Sequence, residues 1–253
     1  KKFWFILTAL VATCFLVACS GSQGVSPKTI KEKKKIVVAT ESEFAPFEFK
    51  SLVNGKDTLV GADIELAKAI GEKLGVKVEF SVMSFDNVLA NVQSGKADIA
   101  IAGISVTDER KKVYDFSDSY YTSENVVIVK KDKVNDYTST DSLAKQTVGT
   151  QKGSVQETVA KKQIPKASVV SLASNGEMIN ELKSGQLQAV VLEKAIAEGY
   201  IAQNDDLTLA NFNLKSDGTD AYAVATRKGS DDLLKESMPS SKRLRTLENL
   251  TNG

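Results

Sequence analysis

Val92-Gln93-Ser94-Gly95-Lys96-Ala97-Asp98-Ile99-Ala100-Ile101 is answered later in the chain by Leu182-Lys183-Ser184-Gly185-Gln186-Leu187-Gln188-Ala189-Val190-Val191. Each stretch reads as the end of a helix, a Ser-Gly stop and an apolar strand, and Gly95 and Gly185 stand 90 residues apart. Glycine closes a helix because it enters the left-handed conformation without steric cost. The run from Asp98 to Ala102 is apolar at nearly every position, which suits a strand covered on both faces by helices. A recurrence on this scale in 253 residues points to two similar α/β lobes.

The flanking pattern agrees. Lys35 to Thr40 is a β-branched run, followed by the loop around Pro46 and then by apolar residues at helical spacing from Ala62 to Leu74, with Gly75 as the stop. A strand at 76–80 and a short helix at 85–93 lead into the first copy of the repeat. Downstream, strands at 147–150, 168–172 and 188–192 alternate with helices at 155–162, 175–183 and 194–203, which is the order of α/β layers with mainly parallel sheets. Two strands lack a helical partner, Asn125 to Lys130 and Ala221 to Thr226. They are expected to carry the chain between the lobes, with the first lobe formed by 35–123 and 222–253 and the second by 124–221. A body built this way has a hinged cleft, and ligands bind beyond the carboxyl ends of its parallel strands.

Composition narrows the class of function. The chain is 42% hydrophobic and 26% charged with a formal charge of +1, which excludes bulk disorder and several membrane spans and gives no overall basic excess for nucleic acid. It contains no histidine, so chemistry resting on imidazole is excluded. Cys14 and Cys19 are too few for a disulfide framework. Both fall in an N-terminal segment where Lys1 and Lys2 precede an uncharged run from Phe3 to Ala18, the form of a secretory signal and too short for a membrane span. Its end, Leu16-Val17-Ala18-Cys19-Ser20, resembles the bacterial lipobox. The resemblance implies a signal peptide over 1–18, lipidation (palmitate) of Cys19 and attachment to the outer face of a Gram-positive-type cell membrane. Residues 19–34, rich in Ser and Gly and then lysine, are expected to form a flexible tether.

Segments at the expected strand ends carry the chemistry. They are Thr40 to Phe49, with Phe44-Ala45-Pro46-Phe47; Ala102 to Arg110, with Gly103-Ile104-Ser105-Val106-Thr107-Asp108-Glu109-Arg110 and then Tyr114-Asp115-Phe116-Ser117; Gln151 to Gln156; and Leu192-Glu193-Lys194. Together and in this order they resemble the amino-acid-binding solute-binding lipoproteins of bacterial ABC importers, the polar amino acid family, from about Lys35 to Ser230. The resemblance implies an α/β, two-lobed periplasmic-binding-protein-like fold of type II, each lobe a mainly parallel sheet flanked by helices. It places the crossings near 122–125 and 218–223. It also implies a monomer whose partners are an amino-acid ligand, an ABC permease and its ATPase subunits, without cofactor, metal or catalytic residue.

A free amino acid presents a carboxylate and an ammonium close together. Arg110 suits the carboxylate because its planar fork makes two parallel hydrogen bonds, which lysine cannot. Ser105 and backbone N–H groups near Gly103 and Ser154 are expected to add donors, Ser154 beside a helix N-terminus. Glu193 is the candidate partner of the ammonium, and Gln156 a further ligand-binding candidate. By resemblance, Phe44 and Phe85 are the aromatic walls, and Glu41 faces the far end of the ligand side chain, favouring arginine, lysine or glutamine. Two other classes fit a two-lobed receptor less well: a dehydratase-like enzyme using Glu193 or Glu41 as acid or base, and a sensing or adhesive surface lipoprotein. The C-terminal end departs from the family, since Pro239 interrupts the helix begun at Asp231 and no aromatic-rich helix follows. That reads as a truncated or frameshifted ending that leaves the first lobe short of apolar cover.

Overall fold

A computed structural model describes residues 24–240 apart from positions 217 and 219. The expected signal peptide, Cys19 and the segment from Lys242 onward lie outside the described residues. The elements run α1 (Pro27–Lys33), β1 (Lys35–Thr40), β2 (Glu43–Phe44), β3 (Glu48–Val53), β4 (Lys56–Val60), α2 (Ala62–Leu74), β5 (Lys77–Val82), α3 (Phe85–Gln93), β6 (Ile99–Ala100), α4 (Asp108–Lys111), β7 (Tyr114–Phe116), β8 (Tyr121–Thr122) and β9 (Asn125–Lys130). They continue with β10 (Thr147–Gln151), α5 (Val155–Gln163), β11 (Ser168–Leu172), α6 (Asn175–Ser184), β12 (Ala189–Glu193), α7 (Lys194–Ala202), β13 (Leu207–Leu209), β14 (Ala221–Tyr222), β15 (Ala225–Arg227) and α8 (Asp231–Ser237).

The repeat in the sequence is a repeat in space. One sheet has the order β5-β1-β6-β15-β7 and the other β11-β10-β12-β9-β13. In each, the first three strands pair in parallel, and the fourth, β15 or β9, runs against both of its neighbours. Gly95 and Gly185 take the same left-handed φ, 78° and 84°, at the ends of α3 and α6, so each helix turns into the strand lying beside the first strand of its lobe. The two repeated strands are buried throughout, with Ile99 and Ala100 in one and Ala189 to Glu193 in the other. The molecule is a two-lobed α/β body, each lobe built on one of these sheets.

The chain crosses between lobes on a two-stranded ribbon in which β8 pairs with β14, Tyr121 opposite Tyr222. The single strand expected over 221–226 is therefore two strands. Tyr222 belongs to the ribbon and Ala225 to the first sheet, and the chain changes partner at Ala223 and Val224. A hairpin of β3 and β4, joined to β2, forms a small additional sheet that was not expected.

The expected tether requires a second correction. Folded structure begins before Lys35: Ser26 caps α1 through its side chain, Pro27 sits in the first turn, and Ile30 is completely buried with Ile36, Leu66 and Leu233. Lys31 forms an ion pair with Glu236 of α8 at 2.5 Å, and the Val25 N–H donates to Ser230 Oγ at 2.6 Å. This helix covers the open end of the first core, so Ile30→Ala is expected to cost about 2–4 kcal/mol and to lower the thermal midpoint by about 5–15 °C. An unchanged midpoint in a calorimetric scan would show that α1 contributes no packing.

Candidate functional site

The carboxyl ends of β1, β6, β10 and β12 meet between the lobes. Thr107 caps α4 by accepting from the Arg110 N–H at 3.1 Å, which fixes where the arginine side chain leaves the backbone. Its guanidinium donates through Nη1 to the Ser105 carbonyl at 2.8 Å and through Nη2 to the Gly153 carbonyl at 3.1 Å, the latter in the other lobe. Its carbon lies 5.9 Å from the centre of the Phe85 ring, within cation–π range. Burial lowers the Arg110 pKa to about 10, partly offset by Glu193, so the group stays cationic at neutral pH.

Glu193 ends β12 and is 6% exposed. The Gln156 amide donates to Glu193 Oε1 and to Asn125 Oδ1, both at 2.7 Å, and Asn125 in turn donates to Asp220 at 2.8 Å. Burial raises the Glu193 pKa to about 7 against the pull of its own backbone N–H and of Gln156. Glu41, just past β1 and 4% exposed, accepts from Gln151 Nε2 at 3.0 and 3.2 Å, again across the lobes. Burial raises it to about 8; the hydrogen bond from Gln151 lowers it, and Glu43 and Glu193 add to the rise.

The structure thus gathers Arg110, Ser105, Glu193, Gln156, Phe85 and Glu41 around one interlobe region. Phe44 is buried, with its ring 5.8 Å from Phe47 and 6.2 Å from Tyr222. It rests on Gly103, where an added Cβ would come within 2.6 Å of Phe44 Cε1 and where φ is +54°. Gly103 is required for that approach. Two expected donors are already engaged inside the protein. The Gly103 N–H donates to Asp63 Oδ2 at 3.0 Å, and both the N–H and the hydroxyl of Ser154 go to the Gln151 carbonyl, at 3.2 and 2.7 Å. Those groups shape the turns rather than supply free donors.

Sequence reasoning missed Asp63, Asn125, Gln151 and Tyr222. Gln151 stood in one of the quoted strand-end segments and was passed over for its neighbours. Asp63 lies on the buried face of α2, where a charged residue carries no pattern signal of its own. Outside the charged cluster the lobes are joined by Lys152 with Asp86 at 2.9 Å, by the Gly176 N–H to Glu43 Oε2 at 3.1 Å, and by the Tyr200 hydroxyl to the Glu43 carbonyl at 3.3 Å. An outer cavity of about 780 Å³ opens beside Glu43, Gly176 and Tyr200; Arg110, Glu193 and Glu41 do not line it.

A hinged pair of α/β lobes with opposed, buried charges at its strand ends defines a receptor for a small charged solute. The chain belongs to the bacterial extracellular solute-binding proteins, family 3, whose model matches residues 36–246. It is 49% identical to the amino acid ABC transporter substrate-binding protein AbpA of Streptococcus pneumoniae, crystallised with L-arginine, with a TM-score of 0.84 over 89% of this chain and 96% of that one. It is 35% identical to the arginine-binding extracellular protein ArtP of Bacillus subtilis, over 91% of this chain and 88% of the relative. The ABC transporter glutamine-binding protein GlnH of the same organism is 30% identical over 97% and 93%.

Proposed function

We propose that the protein captures free L-arginine outside the cell and delivers it to the permease of an ABC importer. The carrying observation is the charge set buried between the lobes: one cation, Arg110, against two carboxylates, Glu193 and Glu41. Arginine brings one carboxylate and two cationic groups, which is the complement. Arg110 takes the α-carboxylate, Glu193 the α-ammonium and Glu41 the guanidinium, while Phe44 and Phe85 shield the side chain from water. The arginine ligand of AbpA and the name of ArtP support this choice. Glutamine is the second reading. A carboxyl group that burial holds at about 8 also accepts and donates hydrogen bonds as a neutral acid, which suits a carboxamide, and GlnH is a relative.

Calorimetric titration with arginine, lysine and glutamine separates these readings. Arginine is expected to bind at least tenfold tighter than glutamine; the reverse order would install glutamine, and no binding by any amino acid would remove the transport reading. We infer further that the protein works as a non-catalytic monomer, anchored by lipid on Cys19 at the outer membrane face. Its two lobes, the first including α1, close about the two crossings. Closure follows from contacts that the ligand makes with both lobes at once.

A further inference from the structure

Two buried carboxyl groups beneath the candidate site have no role in holding a ligand. The Asp63 N–H donates to the Phe47 carbonyl at 2.9 Å, which brings α2 against the start of β3 and sets the Asp63 side chain beside that of Glu48. Asp63 Oδ2 accepts from the Gly103 N–H at 3.0 Å and from the Tyr120 hydroxyl at 2.8 Å. Its Oδ1 has no donor, nor does either oxygen of Glu48, and the two residues are 1% and 0% exposed. Orphaned acceptors at this depth are costly, and two facing carboxylates add repulsion. One proton between them removes the repulsion and pairs Asp63 Oδ1 with one oxygen of Glu48, leaving a single neutral carbonyl oxygen without a donor.

We propose that Glu48 and Asp63 share a single proton, carried by Glu48 and donated to Asp63 Oδ1, and that the anionic Asp63 is the positioning element of the Gly103–Arg110 loop. The anionic Asp63 then makes charge-assisted bonds to Gly103, on which Phe44 rests, and to Tyr120, next to the crossing strand β8. The loop that carries Ser105 and Arg110 is held from behind by a charge that the shared proton keeps from repelling its neighbour. The groups facing the pair are Asp63 and Glu48 themselves, Tyr120, Tyr222, Glu41 and Glu193. Among these groups none is a cation, which favours retention of the proton. Burial and the nearness of Asp63 hold Glu48 well above the usual carboxylate range.

The positioning half of the proposal rests on the reading of this loop as the carboxylate clamp for arginine; the proton half does not. The test therefore has a ligand-free arm. Thermal midpoints of the unliganded protein and of Glu48→Gln are compared from pH 4 to pH 8. The folded wild type holds a proton that the unfolded chain releases above its ordinary value of 4.5, so its stability falls as pH rises, by about tenfold in the folding equilibrium per pH unit. The glutamine variant donates the same hydrogen bond without titrating, and the gap between the two is expected to be small at pH 4 and to widen steadily. Parallel curves would overturn the shared proton.

The second arm measures arginine affinity. Glu48→Gln is expected to bind within about threefold of wild type. Asp63→Ala, which frees the Gly103 N–H, is expected to bind at least tenfold more weakly. Asp63→Asn keeps the shape with a neutral acceptor and covers the case in which the alanine variant does not fold. Its expected loss is about three- to tenfold, since charge-assisted bonds are roughly twice as strong as neutral ones. Wild-type affinity in Asp63→Asn, or in a folded Asp63→Ala, would overturn the positioning role. Absence of arginine binding to wild type would instead count against the ligand assignment, with the pH arm still deciding the proton.

Discussion

Arg110→Lys is expected to weaken arginine binding by about 3 kcal/mol or more, over a hundredfold, within the range seen when one partner of a buried, hydrogen-bonded charge pair is truncated. Two of the guanidinium nitrogens are fixed by carbonyls 2.8 and 3.1 Å away, one in each lobe, and the planar group lies over Phe85. Tied down in this way, the remaining N–H groups of the fork are preorganised for a carboxylate. Lysine has three donors on one atom and cannot hold Ser105, Gly153 and a bidentate ligand together. Its compact ammonium is also more strongly hydrated and pays more for entering this site. Because the Gly153 bond joins the lobes, the variant should also close less completely, which small-angle scattering reads as a larger radius at saturating arginine. An affinity within threefold of wild type would take Arg110 out of the site.

Arginine affinity is expected to rise steeply between pH 6 and pH 8, by about five-hundredfold. Unliganded Glu41 titrates at about 8 and Glu193 at about 7, both raised mainly by burial. A cationic ligand favours their ionised forms, so binding lowers both values and expels protons. The sign follows: affinity is complete above the unliganded pKa and is lost as pH falls through it. The loss is about tenfold per unit for Glu41 below pH 8, and Glu193 steepens it below pH 7. Calorimetry in phosphate and in Tris at pH 7 measures the released protons directly, because the apparent enthalpies then differ by the proton count times the difference in buffer ionisation enthalpy. Glu41→Gln should flatten the upper part of the profile and lower the preference for arginine over glutamine. Equal enthalpies in the two buffers, with a flat profile, would mean that the carboxylates are already ionised or do not meet the ligand.

The parts of the fold that were legible in the sequence share one property: they repeat a local grammar with few alternatives. A buried parallel strand must be apolar throughout, and the helix before it must stop, so the stretches around Gly95 and Gly185 could be read without knowing their partners. The hairpin of β3 and β4 escaped because it does not alternate in hydrophobicity. Leu52 is 72% exposed at its tip, yet the Asn54-Gly55 pair, with φ of 52° and 74°, is the turn signal that should have been heeded. Likewise Ser26-Pro27 is a helix-start signal inside a segment whose polar composition reads as a tether. Residue types in the site were legible since a zwitterion dictates them, whereas the availability of donors was not. Whether the Gly103 N–H is free depends on Asp63, forty positions earlier, and that contact exists only once α2 has packed.

The contacts of Lys152 with Asp86 and of Glu43 with the start of α6 join lobe to lobe without touching Arg110 or Glu193. A bond of this kind contributes the same increment whichever solute lies between the lobes, so it lengthens residence time without altering selectivity. With association limited by diffusion and docking, such an increment appears almost wholly in the dissociation rate. Release of a solute is then slowed by two contacts that it does not itself touch, in addition to its own fit between the lobes.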